Sequence, residues 1–183
     1  MKKILYVSHC LLNTATKVVM DNVAEISAEE ELRRKFILEA IAKGIQLIQI
    51  PCPEFTMYGA KRWGHVSDQF DNPFFRTHCR NLLKPVMLEL QEYLSHPERF
   101  EVLGFVGIDG SPSCGVKYTF CGPWGGSMSK REDWLKVIDM CRLEEKSGVF
   151  YQVLREMLDE LGIDLPFYGL YASEAERIMK LVL

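Results

Sequence analysis

No stretch of the sequence approaches the roughly 20 consecutive apolar residues that span a bilayer, so a transmembrane helix is not expected. Cationic residues are not in excess either: 22 Lys and Arg stand against 25 Asp and Glu, which disfavours a protein that binds the nucleic-acid backbone. Neither the GxGxxG dinucleotide fingerprint nor a phosphate-binding loop is present. The expected partner is therefore a small molecule, and nothing supports a nucleotide cofactor.

A secretion signal is also missing. The apolar run Ile4–Val7 has four residues, against the about 7–15 residues of a signal-peptide core. We therefore expect a cytoplasmic protein, in which thiols are kept reduced. Six cysteines among 183 residues are too few for a disulfide scaffold. In this compartment they point to metal binding or catalysis before disulfides.

Four apolar runs that alternate with helical segments predict the fold class. Each run is short and ends at turn-forming residues, as buried strands do. The predicted strands are Ile4–Val7, Ile45–Ile50, Phe100–Gly107 and Leu165–Tyr171. This order predicts a single three-layer α/β domain over residues 1–183, with a mostly parallel, Rossmann-like sheet of about four strands.

Capping signals and amphipathic spacing predict the helices. Ser27 and Glu30 have the spacing of a capping box. Pro85 predicts a kink or a late start for the helix that contains it. The predicted helices are Ser27–Lys43, Thr77–Ser95, one that starts near Ser129, Ser147–Leu161 and Ser173–Val182. Residues 52–76 and 108–129 show no clear period and are predicted to be irregular.

Three cysteines follow three of the predicted strands. Cys10 comes after the first strand, Cys52 after the second and Cys114 in the loop after the third. Because the carboxyl ends of parallel strands lie along one edge of a sheet, the three thiols can converge there. Two prolines flank Cys52, and a turn-rich loop surrounds Cys114. Cysteines that only fill a core do not need such rigid surroundings.

The same segments resemble a known signature. The chain reads SHCLL at Ser8–Leu12, CPE at Cys52–Glu54 and SPSCG at Ser111–Gly115, and it resembles a divergent member of the thiouracil desulfidase family. The resemblance implies that three cysteines hold a [4Fe-4S] cluster whose remaining iron takes the sulfur of a thiocarbonyl substrate. It implies that Cys10, Cys52 and Cys114 are the ligands, and that a small thiolated compound is the substrate.

Such a reaction needs a base that prepares water for attack on the carbon next to sulfur. Glu54 is the predicted base, since a partly desolvated carboxyl group can be tuned towards neutral pH. Alternatively, Glu54 caps a helix or pairs with Lys61 or Arg62. Ser111, in preference to Ser113, is predicted to donate a hydrogen bond to the substrate or to cluster sulfur. The expected activity is hydrolytic release of hydrosulfide.

Other residues are weaker candidates for the site. His9 is expected, at most, to contact a ligand cysteine and not the metal itself. An aromatic wall against a planar substrate is conceivable, although aromatic residues in a long loop more often anchor it; its members would be Trp63, His65, Phe70, Phe74 and Phe75. His78, Cys79 and Cys141 are expected to be structural, with Cys141 in a helix.

Cys121 is the main competitor among the cysteines. It lies seven residues after Cys114 in a glycine-rich stretch and could serve as a fourth ligand. Four thiolates would close the metal site, and the chain would then be a non-catalytic metal or iron–sulfur module, or a redox sensor. A third reading is a plain α/β binding protein with incidental cysteines. The sequence does not predict an oligomeric state.

Overall fold

The computed structural model describes residues 1–19, 23–127 and 129–183. Met128, which falls in a stretch predicted to be irregular, lies outside the described residues, as do Met20, Asp21 and Asn22. The strands are β1 (Lys2–Val7), β2 (Gln46–Gln49), β3 (Phe100–Ile108), β4 (Thr119–Cys121), β5 (Arg142–Glu144) and β6 (Phe167–Leu170). The α-helices are α1 (His9–Leu12), α2 (Val23–Ala42), α3 (Pro53–Tyr58), α4 (Ser67–Phe70), α5 (Pro73–Leu94), α6 (Trp134–Asp139), α7 (Val149–Glu160) and α8 (Ala175–Met179).

Four of the strands form a parallel sheet in the order β2-β1-β3-β6. In the register of β1, Tyr6 lies opposite Ile48 on β2 and Phe105 on β3. All three strand pairs of this sheet are parallel, so the four carboxyl ends lie at one edge. The predicted α/β class with a parallel sheet is confirmed.

Helices cover both faces of the sheet. Alternate side chains of a strand point to opposite faces, and β1 follows this rule. Ile4 and Tyr6 belong to a core cluster that includes residues of α5 and α7, whereas Leu5 and Val7 belong to a second cluster with residues of α2 and α8. The result is the predicted three-layer arrangement, with a buried sheet between two helical layers.

The predicted start of the first long helix at Ser27 is wrong. Helix α2 begins at Val23, so Ser27 lies within it. The Glu30 carboxylate accepts hydrogen bonds from Arg33 Nε and Arg34 Nε, each at 2.7 Å. These are the contacts that residues three and four positions apart make on a helix. A capping-box spacing within a helix cannot be distinguished by pattern from one at its start.

The predicted start of the second long helix at Thr77 is also wrong. Helix α5 begins at Pro73 and continues through Pro85. The Asn72 side chain accepts hydrogen bonds from the amides of Phe74 and Phe75, at 3.1 and 3.0 Å. Asn at the cap followed by Pro at the first helical position is a favourable helix start. This signal lay inside a stretch predicted to be irregular.

The irregular stretches contain short elements that the sequence pattern did not reveal. Helices α3 and α4 lie within residues 52–76, and β4 lies within residues 108–129. Strand β4 pairs antiparallel with β5 in a second, two-stranded sheet. Three-residue strands are too short to show a hydrophobic period.

The predicted boundaries of the last helices and the predicted position of Cys141 need correction. Helix α6 begins at Trp134 instead of near Ser129, and Cys141 follows this helix instead of lying in it. Helix α8 begins at Ala175 instead of Ser173, after a 3-10 turn over Ala172–Glu174. Across residues 1–19, 23–127 and 129–183, no helix is both long and apolar enough to cross a membrane.

Candidate functional site

The site lies at the edge of the sheet where β1, β2 and β3 end. Cys10 lies in the first turn of α1, Cys52 at the N-cap of α3 and Cys114 six residues beyond the end of β3. Because β1 lies between β2 and β3, their carboxyl ends are neighbours. The three predicted ligands therefore follow three adjacent strand ends.

Cys10 is positioned by the short helix that follows β1. The Ser8 amide donates to the carbonyl of Val106 on β3 at 2.9 Å, which continues the sheet pairing to the last residue before the helix. Burial raises the pKa of the Cys10 thiol to about 12, because a thiolate loses its hydration there. The nearby Lys17 ammonium opposes this shift, and Cys52 adds to it.

Cys52 caps α3 with its sulfur. Its Sγ accepts a hydrogen bond from the Phe55 amide at 3.4 Å, and its carbonyl accepts one from Thr56 Oγ1 at 2.8 Å. Pro53 occupies the first position of the helix, where its missing N–H costs nothing. Burial raises the pKa of the Cys52 thiol, and the Phe55 N–H opposes that shift.

Cys114 lies in a loop that is fastened to β3 and to the start of α7. Its carbonyl accepts from the Ile108 amide at 3.0 Å, and the Phe150 amide donates to the Ser113 carbonyl at 3.0 Å. Gly148 allows this approach, since a Cβ atom there would lie 2.5 Å from the carbonyl carbon of Ser113. The amides at the helix start thus hold the loop.

The pKa shifts of the cysteines link the three predicted ligands. The pKa of the Cys114 thiol is raised well above its ordinary value, first by burial and then by Cys10 and Cys52. The thiols are therefore within electrostatic range of each other at one edge of the sheet. Within the described part of the chain, no group of three His, Cys, Asp or Glu side chains could hold a single metal ion.

Glu54 lies beside the thiols in a buried ion pair. Its Oε2 accepts from Arg62 Nε at 3.2 Å, and the two side chains are only 9% and 4% exposed. Its Oε1 accepts a short hydrogen bond from Ser113 Oγ, at 2.5 Å. The Arg62 guanidinium is fixed in turn by the carbonyl of Thr16, at 2.6 Å. The pairing with Arg62, predicted as an alternative to the role of base, is present, and Glu54 also contacts the cysteine loop.

Ser113, and not the preferred Ser111, is the serine whose hydroxyl group contacts Glu54 and the Cys114 sulfur. Ser113 Oγ lies 3.5 Å from Cys114 Sγ in addition to its bond with Glu54. Ser111 Oγ accepts from the Cys114 amide at 3.0 Å, which stabilises the turn of the loop. The two hydroxyl oxygens are 3.4 Å apart. Ser111 thus holds the loop, and Ser113 joins its sulfur to the carboxylate.

The predicted aromatic wall is not assembled as one surface. Phe70 and Phe75 are fully buried and stack on each other with ring centroids 4.3 Å apart. Trp63 and Phe74 are 67% and 86% exposed. His65 stacks on Tyr58 at 5.0 Å, and burial lowers its pKa. Phe70 and Phe75 therefore anchor this stretch in the core, whereas Trp63 and Phe74 remain exposed.

Three of the remaining candidate residues contact groups other than the predicted ligands. Cys121, on β4, lies with its sulfur 3.2 Å from Ser67 Oγ, and Cys141 Sγ contacts the Val137 carbonyl at 3.3 Å. Cys79 is fully buried in the core, and His78 Nε2 lies 2.8 Å from Thr56 Oγ1. Burial lowers the pKa of His9 next to Cys10.

Two residues that contact the cysteine segments were missed in the sequence. Asp109, directly after β3, accepts hydrogen bonds through Oδ1 from the amides of Val116 and Lys117, at 2.7 and 2.8 Å, and so closes the cysteine loop. An Asp followed by a Gly-Ser-Pro turn could have indicated this role. Tyr151 on α7 is fully buried beside the site. Its sequence context is that of an ordinary core residue on an amphipathic helix.

Two surface cavities lie away from these residues. One, of about 330 Å³, is lined by residues that include Lys35, Met179 and Leu183. The other, of about 160 Å³, is lined by residues that include Arg155 and Phe167. None of the three predicted ligands lines either cavity.

Comparisons with known proteins give one similarity. The chain is 27% identical over 161 residues to an uncharacterized protein of Methanocaldococcus jannaschii, and the alignment covers 86% of this chain and 97% of that relative. No protein-family model matches the chain. No solved structure matches it. Because the relative is uncharacterized, the similarity assigns no activity.

Proposed function

We propose that the chain is a [4Fe-4S]-dependent desulfidase that removes sulfur hydrolytically from a small thiolated compound in the cytoplasm. The observation that supports this function is the grouping of three interacting thiols with a buried carboxylate at one edge of the sheet. The substrate is of the thiouracil type, with a thiocarbonyl group. The overall reaction consumes water and yields the oxo compound, hydrosulfide and a proton.

The donor set fits an iron–sulfur cluster. Thiolates are soft ligands that select such clusters over hard cations. Burial and mutual proximity hold the thiols of Cys10 and Cys114 in the protonated form, so a strongly cationic partner is needed before they ionise. Cys10, Cys52 and Cys114 would hold such a cluster. When bound, the cluster would supply an iron with an open position that polarises a thiocarbonyl sulfur.

The protein's own side chains would orient the attacking water molecule and accept its proton. Glu54 Oε1 would accept a proton from the water that attacks the thiocarbonyl carbon. Arg62 holds the other oxygen of this carboxylate and so fixes its orientation. Ser113 Oγ already donates to Glu54 Oε1, and a rotation of its hydroxyl group would direct the same proton to a substrate atom or to sulfur. Ser111 keeps the loop in the conformation that allows these contacts.

Metal and sulfide analysis under strict anaerobiosis tests the cluster. The purified protein should be brown and should contain about four iron and four acid-labile sulfide per chain. Cys10→Ser, Cys52→Ser and Cys114→Ser should each lose most of this iron. Cys141→Ser is the matched control, because its half-buried sulfur bonds to the Val137 carbonyl and to none of the predicted ligands among the described residues, and it should keep the parent content.

Hydrosulfide release from thiolated nucleobases and thioamides tests the activity. The brown protein should release hydrosulfide from at least one member of this panel, and the metal-free protein should not. Colourless protein that retains desulfidase activity would refute the proposal. Absence of iron from the parent and from all three site variants would instead support a binding protein with incidental cysteines.

A further inference from the structure

The cavity of about 160 Å³ lies at the edge of the sheet opposite to the cysteines. Its lining comes from the second half of α7, from the connection 163–165 and from Phe167, the first residue of β6. Because β3 and β6 are parallel, the start of β6 lies at the other edge from the loop that follows β3. The cavity is therefore separate from the predicted ligands and from Glu54.

The guanidinium group of Arg155 lines this cavity without a counter-ion. Its Cζ lies 3.8 Å from the centroid of the Phe167 ring, a cation–π contact that holds the group against the ring. Among the described residues, Arg155 has no hydrogen-bond or ion-pair partner for its side chain. Burial lowers the pKa of Arg155, because the charge has lost part of its hydration. The planar fork of N–H donors is free to bind a carboxylate at two points.

Two carboxylates line the same cavity. Asp159 follows Arg155 by four residues on α7, and Asp164 lies in the connection to β6. Across residues 1–19, 23–127 and 129–183, neither carboxylate accepts a hydrogen bond or forms an ion pair. Helix α7 ends at Glu160, so the negative end of its dipole lies next to Asp159. This side of the cavity therefore favours a cation.

Charge and size together select the ligand. The two carboxylates repel a simple anion, and the guanidinium group repels a simple cation. A molecule that carries both a carboxylate and an ammonium group satisfies both sides. A water molecule occupies about 30 Å³ in the liquid, so a cavity of about 160 Å³ holds about five or six non-hydrogen atoms. Glycine and alanine have this size and carry both groups.

We propose that this cavity binds a free α-amino acid of the size of glycine or alanine. Arg155 binds its carboxylate, and Asp159 and Asp164 bind its ammonium group. The first turn of α7 holds the cysteine loop, and a helix of 12 residues is about 18 Å long. The bound amino acid is therefore too far from the cysteines to be the substrate there, and the inference does not depend on the proposed function.

Isothermal titration calorimetry of the full chain with glycine and L-alanine tests the inference. We expect one molecule per chain with a Kd of about 1 mM or lower, as a ligand of this size can reach through charge pairs. Acetate and methylammonium each carry only one of the two groups and should bind at least about tenfold more weakly. Equal affinity for acetate or methylammonium overturns the inference, as does the absence of saturable binding of both amino acids up to about 10 mM.

Substitutions of the three charged residues locate the site. Arg155→Met keeps an unbranched side chain over Phe167 but removes the guanidinium group, so the affinity for alanine should fall at least about tenfold. Asp159→Asn and Asp164→Asn should also weaken alanine binding, and they should not weaken acetate binding. They cover the case in which Arg155→Met does not fold. Parent affinity for alanine in the folded variants overturns the inference.

Arg142→Met is the matched control. Arg142 pairs with Glu144 on β5 at the surface and does not line the cavity. This variant should bind alanine with the parent affinity, and an equal loss in Arg142→Met and Arg155→Met overturns the inference. The same titrations apply to brown and to colourless protein. A chain without iron would therefore refute the proposed function and leave the amino-acid site intact.

Discussion

Two regions of the molecule carry cysteines, and the cysteine side chains have different neighbours in each region. At the carboxyl edge of the parallel sheet, Cys10, Cys52 and Cys114 raise one another's pKa or that of a neighbour. In the segment 119–144, which we call the arm, Cys121 and Cys141 instead contact Ser67 Oγ and a backbone carbonyl. The comparison teaches that position at adjacent strand ends, and not the local number of cysteines, brings thiols together.

The two regions also differ in what supports them. The edge is built on β2, β1 and β3, which are three adjacent strands of a four-stranded sheet with a core on each face. The arm contains two strands of three residues each. An isolated two-stranded sheet is marginally stable by itself. The edge is therefore a firmer support than the arm for a site whose ligands must stay at fixed distances from one another.

The largest effect should come from removing the carboxylate at the edge. Glu54→Gln keeps the shape but cannot accept a proton, so the rate of hydrosulfide release should fall about 100- to 10,000-fold while iron content stays unchanged. The change also leaves the buried Arg62 without its counter-charge, which can cost about 3–5 kcal/mol of stability. Rates should therefore be measured well below the Tm of the variant.

Glu144→Gln in the arm is the counterpart. Glu144 lies on β5 and pairs with Arg142 at the surface, so this substitution should leave both rate and iron content near the parent values. Equal rate losses in Glu54→Gln and Glu144→Gln would remove the distinction between the two regions. An unchanged rate in Glu54→Gln would exclude Glu54 as the base.

A smaller effect is expected where α7 meets the cysteine loop. Gly148→Ala would place a methyl group 2.5 Å from the Ser113 carbonyl carbon, so the loop or the helix must shift. The free energy of unfolding, measured with urea, should fall by about 1–3 kcal/mol.

Gly64→Ala is the control for that substitution. A Cβ atom at Gly64 would meet no atom within 4 Å, and the change should stay within about 0.5 kcal/mol. If Gly148→Ala is as mild as Gly64→Ala, the loop is not held as tightly as the contacts indicate.

The smallest effect is expected for Cys121→Ser in the arm. The serine hydroxyl can still bond to Ser67, so stability should change by less than about 1 kcal/mol and iron content should not change. This outcome would favour three ligands and an open iron. Loss of iron would instead identify Cys121 as a fourth ligand and favour the non-catalytic module.

Sequence patterns predicted the sheet better than the helix boundaries. The four strands of the parallel sheet were found because each is an apolar run between turn-forming residues, such as Phe100–Ile108. The predicted start of α2 was wrong because the capping-box spacing of Ser27 and Glu30 also occurs within a helix. The start of α5 was missed because the Asn72–Pro73 cap lay in a stretch without a clear hydrophobic period. Strands β4 and β5 were too short to have a pattern.

The sequence by itself determined the parallel α/β class and the cysteines that follow three of its strands, because strand patterns and residue types are local properties. Only the tertiary structure decided that Ser113 contacts Glu54, that Arg62 pairs with it and that Tyr151 reaches Ser8. The Ser113–Glu54 and Tyr151–Ser8 contacts join residues 59 and 143 positions apart in the chain. Which residues meet in these contacts depends on strand order, on the space left free at Gly107 and Gly148, and on burial. No local sequence pattern indicates these properties.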